Sequence, residues 1–79
     1  MRCRLWFWSR ERPRPRVVDE CSGSTLVQAA ANGLAPVHEL TWSHEVRDGQ
    51  LYLVRGLAGY CCEPADGPGP RASMLPARP

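Results

Sequence analysis

The chain has 79 residues, of which 43% are hydrophobic and 23% charged, and its formal net charge is +2. This length allows one small domain. The composition excludes a fully disordered chain and a membrane-spanning one, because no apolar run approaches the ~18 residues that a transmembrane helix needs.

The first predicted segment, residues 1–16, is a basic aromatic arm. It carries six arginines against one acid, a charge of +5, whereas residues 17–79 carry four arginines against seven acids, a charge of −3. The run Arg-Pro-Arg-Pro-Arg excludes a helix, so the arm is predicted to be extended and disordered. The apolar stretch LWFW is too short for a secretory signal, which favours an intracellular protein.

The arm supplies the candidate partner-binding residues, which are Trp6, Trp8, Arg10, Arg12, Arg14 and Arg16. Guanidinium groups bind phosphates and carboxylates, and the bases of nucleic acids stack on aromatic rings. The same composition suits an acidic groove of a protein or the anionic surface of a membrane. In an alternative interpretation, Leu5, Trp6 and Phe7 fold back on the hairpin and only the arginines stay in solvent.

A strand and a short helix are predicted after the arm. VVDEC, residues 17–21, has the composition of a strand. The helix is predicted over residues 25–32, because Thr25 and Gln28 have the spacing of a capping box and Asn32-Gly33 is a left-handed stop signal. A helix this short needs a surface on which to dock.

The most specific pattern predicts a β-hairpin over residues 39–47 and 50–57. Asp48-Gly49 is a strong turn signal, because a two-residue hairpin loop needs positive φ at both positions. Counting outward predicts four pairs on one face: Val46 with Leu51, His44 with Leu53, Trp42 with Arg55, and Leu40 with Leu57. The helix is expected to cover this face, which gives a small α+β domain with a βαββ-like order, centred on the hairpin.

The last segment, residues 63–79, is predicted to be a disordered tail. It holds five prolines and two glycines, a composition that disfavours regular structure. The sequence therefore predicts three parts: the basic arm at 1–16, the α+β body at 17–62 and the tail at 63–79.

The four cysteines are Cys3, Cys21, Cys61 and Cys62, and they allow three pairings into two disulfides. Their redox state stays open, although reduced thiols are the rule inside cells. No two close pairs of cysteine or histidine have the spacing of a zinc site, so we expect no metal and no cofactor. No nucleophile stands beside a base and no glycine-rich phosphate loop occurs, so we expect no catalytic residue.

These patterns predict a small non-enzymatic interaction or regulatory protein, whose basic arm binds an acidic protein surface or a nucleic acid. One alternative is a disulfide-stapled structural domain in an oxidising compartment. Another is a poorly folded product of a short GC-rich reading frame, since all ten basic residues are arginine and isoleucine is absent. No transmembrane segment is expected, whereas peripheral contact with a membrane and self-association of the chain both stay open.

Overall fold

The computed structural model describes residues 1–33 and 43–76, which form one antiparallel sheet with a short helix on one face. The strands are β1 (Arg2–Trp8), β2 (Arg16–Ser22), β3 (Ser43–Arg47), β4 (Gln50–Arg55) and β5 (Ala58–Pro64). The helices are α1 (Leu26–Gly33) and a 3-10 turn (Ala72–Met74). The order of the strands across the sheet is β2-β1-β5-β4-β3.

The predicted βαββ-like α+β class is wrong, because a five-stranded antiparallel sheet dominates the described residues. The predicted hairpin is not the centre of the fold: β3 is an edge strand, and β5 lies in the middle between β1 and β4. The two strands that the prediction lacked, β1 and β5, are largely buried on both faces. β1 alternates polar with apolar residues only over Arg2–Leu5 and continues as the apolar run Trp6-Phe7-Trp8, so it lacks the sustained period that marks a half-exposed strand.

The N-terminal arm is not disordered as predicted, because its residues 2–8 form β1. This strand pairs with β2 on one side and with β5 on the other. Leu5 lies opposite Cys62, and Trp6 lies opposite Cys61. The apolar part of the arm therefore folds back, as in the alternative interpretation, but it pairs with β2 and β5 and not with the predicted hairpin, and residues 9–15 become the loop between β1 and β2.

The turn of the predicted hairpin is confirmed within the described residues. Asp48 and Gly49 both have positive φ, at 51° and 78°, as a two-residue loop requires. Val46 lies opposite Leu51, which is the predicted register. The pairing of His44 with Leu53 also follows this register.

The second strand of that hairpin is shorter than predicted. It ends at Arg55, which pairs with Ala58, and Gly56 has a positive φ of 60° in the turn between them. Leu57 is therefore an exposed turn residue and not part of a strand. The predicted partners Leu40 and Trp42 lie outside the described residues.

Helix α1 begins as the sequence predicted, because Thr25 Oγ1 accepts the backbone N–H of Gln28 at 3.1 Å. The Gln28 side chain does not complete a capping box and donates to Asn32 Oδ1 at 3.0 Å. Ala29 and Ala30 are buried against the sheet. This face of the sheet contributes Cys3, Leu5, Leu51 and Cys62 to the core under the helix.

The other face of the sheet is covered by the C-terminal segment, so the predicted disordered tail is wrong for residues 63–76. Trp8, Tyr52 and Cys61 are buried on this face, and Met74 and Leu75 pack against them. The segment follows β5 directly and crosses back over the sheet. Composition alone favoured disorder here, because the contacts that hold the segment come from distant strands.

Candidate functional site

The loop between β1 and β2 carries most of the candidate partner-binding arginines. It opens with a turn in which Ser9 N donates to Arg12 O at 3.0 Å, while Arg12 N donates to Ser9 Oγ at 3.2 Å. Pro13 and Pro15 then restrict the backbone, because each disfavours a helical conformation of the residue before it, Arg12 and Arg14. The loop therefore displays its side chains from an ordered backbone. Its exposed arginines, including the first residue of β2, are Arg10, Arg12, Arg14 and Arg16.

These four arginines differ from others of the chain in their charge environment. Four arginines elsewhere are paired with acids: Arg2 with Glu20, Arg4 with Glu63, Arg47 with Glu45 and Arg71 with Asp48, at 3.0–3.5 Å. Within the part of the chain that the structure describes, no acid lies at ion-pair distance from a loop arginine, and Glu11 of the loop pairs with none of them. The loop charges are therefore directed to solvent.

The register of the sheet adds Arg55 to the loop arginines. Trp8, the last residue of β1, lies opposite Gly59, and Arg55, the last residue of β4, lies opposite Ala58. The end of β4 and the β1–β2 loop therefore lie at the same end of the sheet. We call this group the basic end, and it consists of Arg10, Arg12, Arg14, Arg16 and Arg55. Local sequence does not reveal the membership of Arg55, because it depends on the pairing of β1 and β4 with β5.

An aromatic residue on the helix face lies beside the basic end. The guanidinium of Arg16 lies over the ring of Phe7, with Cζ 5.6 Å from the ring centroid. Phe7 also contacts Tyr60, with 4.8 Å between ring centroids and a tilt of 43°. Both rings are half-buried. A cation over the face of a ring within about 6 Å is a favourable contact.

The two tryptophans predicted to contact a partner are located inside the fold. Trp8, the last residue of β1, is completely buried where the C-terminal segment packs on the sheet. Trp6 is half-buried, and its indole N–H donates to Glu63 Oε2 at 2.7 Å. The Arg4 guanidinium lies over the Trp6 ring at 5.3 Å. The structure therefore brings the loop arginines to one surface without these two rings.

A second polar cluster surrounds the completely buried carboxylate of Glu63. Its oxygens accept the backbone N–H of Gly69 at 2.9 and 3.1 Å and the side-chain amide of Gln50 at 2.9 Å. Together with Trp6 and Arg4, these donors satisfy the carboxylate on all sides. A buried charge with a complete set of partners is typical of a structural site.

The cluster extends from Glu63 to the C-terminal segment. The Tyr52 hydroxyl donates to Gln50 Oε1 at 2.5 Å and accepts the backbone N–H of Arg71 at 3.0 Å. Gln50 also donates to the Gly69 carbonyl at 2.7 Å. Burial raises the pKa of Tyr52, which keeps its hydroxyl protonated as the donor. These bonds fix residues 69–71 to the sheet.

The four cysteines are free thiols and lie on both faces of the sheet. Burial, with a further contribution from the charge of Glu63, raises the pKa of Cys61 to about 12. Burial also raises the pKa of Cys21 and, with the neighbouring Cys21 adding to the effect, that of Cys62. A thiol with a raised pKa is protonated at neutral pH, so Cys21, Cys61 and Cys62 carry little of the reactive thiolate.

The cysteines and histidines are the residues that could bind a transition metal. In the described ranges, no three side chains of His, Cys, Asp or Glu are grouped so that they could hold a metal ion. His38 lies outside these ranges, and only the backbone of His44 is described. The expectation of no metal site therefore stays a prediction for the whole chain.

Two further observations bear on the class of protein. No helix among residues 1–33 and 43–76 is long and apolar enough to cross a membrane. The chain matches no known protein family, no curated protein and no solved structure. Its function must therefore be argued from its own residues and their geometry.

Proposed function

We propose that this chain is a small non-enzymatic interaction protein whose basic end binds an acidic partner. The observation that carries the proposal is the contrast between two groups of arginines. Those of the basic end are exposed and have no acid among the described residues at ion-pair distance, whereas four others are each paired. Like charges held together repel one another, and a polyanion relieves that repulsion when it binds.

Among acidic partners, the surroundings of the basic end favour a single-stranded nucleic acid. Phosphates would bind the arginines of the loop, because the guanidinium fork matches their geometry. The guanidinium of Arg16 lies over the Phe7 ring, with Cζ 5.6 Å from its centroid, and unpaired bases stack on both guanidinium planes and aromatic rings. An acidic protein surface would use the charges but would have no use for this stack.

The test is the binding of a labelled single-stranded oligonucleotide, followed by fluorescence anisotropy over a range of salt concentrations. The site variant is Arg12→Gln with Arg14→Gln. The matched control is Arg2→Gln with Arg47→Gln, which removes the same charge from two exposed arginines that are already paired with acids. The site variant should weaken binding roughly tenfold and reduce the slope of log K against log salt by about 1.4, the loss expected for two phosphate contacts.

The control variant should keep nearly the whole slope of the parent. Equal losses in both variants would mean that net charge alone governs binding, and the proposal would be rejected. A second comparison uses inorganic polyphosphate, which has no bases. Arg16→Lys keeps the charge but loses the planar stack, so it should weaken binding to the oligonucleotide more than binding to polyphosphate. If the parent binds an acidic peptide but no oligonucleotide, the partner is a protein and the nucleic-acid assignment is wrong.

A further inference from the structure

Strand β2 forms one edge of the sheet, because it pairs with β1 on one side and no described strand lies on its other side. All of its residues except Cys21 are exposed, and Val17 and Val18 expose 45% and 44% of their surface. An exposed edge strand that contains apolar side chains is a place where a strand of another chain can pair. The structure shows three features of β2 that oppose such pairing.

The pairing of β2 with β1 defines which backbone groups of β2 point to the outer edge of the sheet. Met1 and Gly23 exchange two hydrogen bonds between nitrogen and carbonyl oxygen, at 2.7 and 3.1 Å. Hydrogen-bonded and non-hydrogen-bonded pairs alternate along an antiparallel ladder. Ser22 and Glu20 therefore form non-hydrogen-bonded pairs with β1. Their backbone N–H and C=O groups point away from β1, towards the outer edge.

The first feature is the side chain of Asn32, on helix α1, which covers the outward carbonyl of Ser22. Asn32 Nδ2 donates to this oxygen at 2.8 Å. Asn32 Oδ1 accepts from Gln28 Nε2 at 3.0 Å, which orients the amide. The end of α1 lies directly against β2, since a Cβ added at Gly33 would lie 3.0 Å from Cys21 Cβ. An incoming strand would have to displace Asn32 to reach the Ser22 carbonyl.

The second feature is the side chain of Asp19, which covers the outward N–H of Glu20. This nitrogen donates to Asp19 Oδ1 at 2.8 Å. The third feature is a β-bulge next to it, because the register with β1 shifts between Asp19 and Val17 and leaves Val18 opposite no residue of β1. A bulge bends its strand and interrupts the ladder. The outer edge of β2 is thus obstructed along most of its length.

We propose that Asn32 and Asp19 close the outer edge of β2 to strand addition, and that the partner they exclude is a second copy of this chain. The proposal concerns the edge of the sheet and is independent of the proposed function. It gives Asn32 and Asp19 a role in keeping the chain unassembled, in addition to their local hydrogen bonds.

A second copy is the partner that suits this edge, because the sequence of β2 is complementary to itself. In an antiparallel pairing of two β2 strands centred on Val18, Arg16 of one copy lies opposite Glu20 of the other. Opposite charges facing each other across two strands stabilise the pairing, and so do two β-branched side chains. The centred arrangement places the two Val18 side chains opposite each other and forms the Arg16–Glu20 pair twice.

Amide hydrogen exchange of the parent, followed residue by residue by NMR, tests the contact of Asp19. The N–H groups of Glu20 and Ser22 both point outward, but among the described residues only that of Glu20 has an acceptor. After correction for intrinsic rates, the Glu20 amide should exchange roughly fivefold more slowly than the Ser22 amide. Equal rates would overturn the role given to Asp19, and this measurement needs no variant.

The second test compares the parent with the double variant Asp19→Ala, Asn32→Ala by sedimentation velocity over a wide range of concentration. Alanine favours a helix more than asparagine does, so the change at position 32 does not weaken α1 itself. The mean mass of the double variant should rise towards that of a dimer as its concentration increases, and exceed that of the parent. A double variant that keeps the Tm and the mass of the parent would overturn the proposal.

Two controls identify the edge and the interaction. Asp19→Asn removes the charge but keeps an acceptor oxygen, so it should keep the mass of the parent. Glu20→Pro, added to the double variant, removes an N–H that points away from β1, and edge strands tolerate proline at such positions. It should therefore restore the mass of the parent. Association that persists would take place elsewhere on the chain, and the proposal would be rejected. If the double variant does not fold, amide exchange of the parent decides the matter.

Discussion

The indole N–H of Trp6 donates to Glu63 Oε2 across 2.7 Å, which joins β1 to β5 on the face opposite the helix. Glu63 is completely buried, and such a carboxylate is stable only when donors satisfy it. Part of that requirement is met by Gly69 of the C-terminal segment. The carboxylate therefore ties together the N-terminal strand, the last strand and the segment that follows it.

Glu63→Gln should destabilise the protein by about 3 kcal/mol. The amide nitrogen of glutamine is itself a donor, so it cannot accept the hydrogen bonds that one carboxylate oxygen of Glu63 now accepts. Chemical denaturation followed by circular dichroism would measure the change. Glu20→Gln is the matched control, since Glu20 makes an exposed pair with Arg2 that contributes little. Similar stabilities for the two variants would show that the buried cluster is not an anchor of the fold.

Removal of residues 65–79 should expose the apolar face that holds Trp8, Tyr52 and Cys61. The shortened chain should bind a hydrophobic dye and unfold with a lower Tm, because the buried carboxylate and the two aromatic side chains would meet water. A chain shortened only by residues 77–79 keeps every described contact and serves as the control. An unchanged Tm in the shorter chain would contradict the role given to this segment.

Replacement of Arg10, Arg12 and Arg14 by glutamine should leave the Tm within about 2 °C of the parent, because exposed arginines without an acidic partner contribute little to folding. Arg4→Gln should lower the Tm by roughly 5–10 °C, since Arg4 is the cation beside the buried Glu63. Thermal melts of both variants check this pair of expectations. A large loss of Tm in the loop variant would show that the loop arginines support the fold.

Stability should fall as the pH rises above 9, and Cys61 should account for part of the fall. Its pKa is raised from 9.0 to about 12, so below pH 9 the thiol is protonated in both the folded and the unfolded chain. Between pH 9 and 12 the unfolded chain loses this proton and the folded chain keeps it, so unfolding becomes more favourable by about 1.4 kcal/mol per pH unit.

The comparison that isolates this effect is the free energy of unfolding of the parent and of Cys61→Ala between pH 7 and pH 11. The variant should lose stability less steeply above pH 9, whatever its stability at pH 7. Parallel curves would mean that other groups with raised pKa values, such as Tyr52 and Cys62, cause the whole decline.

The local parts of the fold were predictable from sequence, because their signals lie within a few residues. Asp48-Gly49 set the turn and the register of Val46 with Leu51, and Thr25 capped the helix. β1 was not predictable in this way. Its polar alternation stops after Arg4, because Trp6 and Trp8 pack against the C-terminal segment, and the arginines after the strand suggested a disordered arm.

The candidate site was predictable only in part. The exposed arginines of the loop follow from charge and from the prolines between them, which exclude a helix. The burial of Trp8 depends on the C-terminal segment, and the position of Arg55 depends on the pairing of β4 with β5. Both depend on contacts between segments that are far apart in the sequence. The amino-acid composition or hydrophobic period of a short stretch of sequence does not reveal such contacts.

The position of β1 between β2 and β5 sets an order of events during synthesis. One edge of β1 can pair with β2 as soon as residues 16–22 have left the ribosome. Its other edge pairs only after residues 58–64 have been synthesised, which form the last strand among the described residues. Contacts of such long sequence separation slow folding, and a waiting edge is open to pairing with other chains. We therefore expect nascent chains to aggregate most readily after β2 is complete and before β5 emerges.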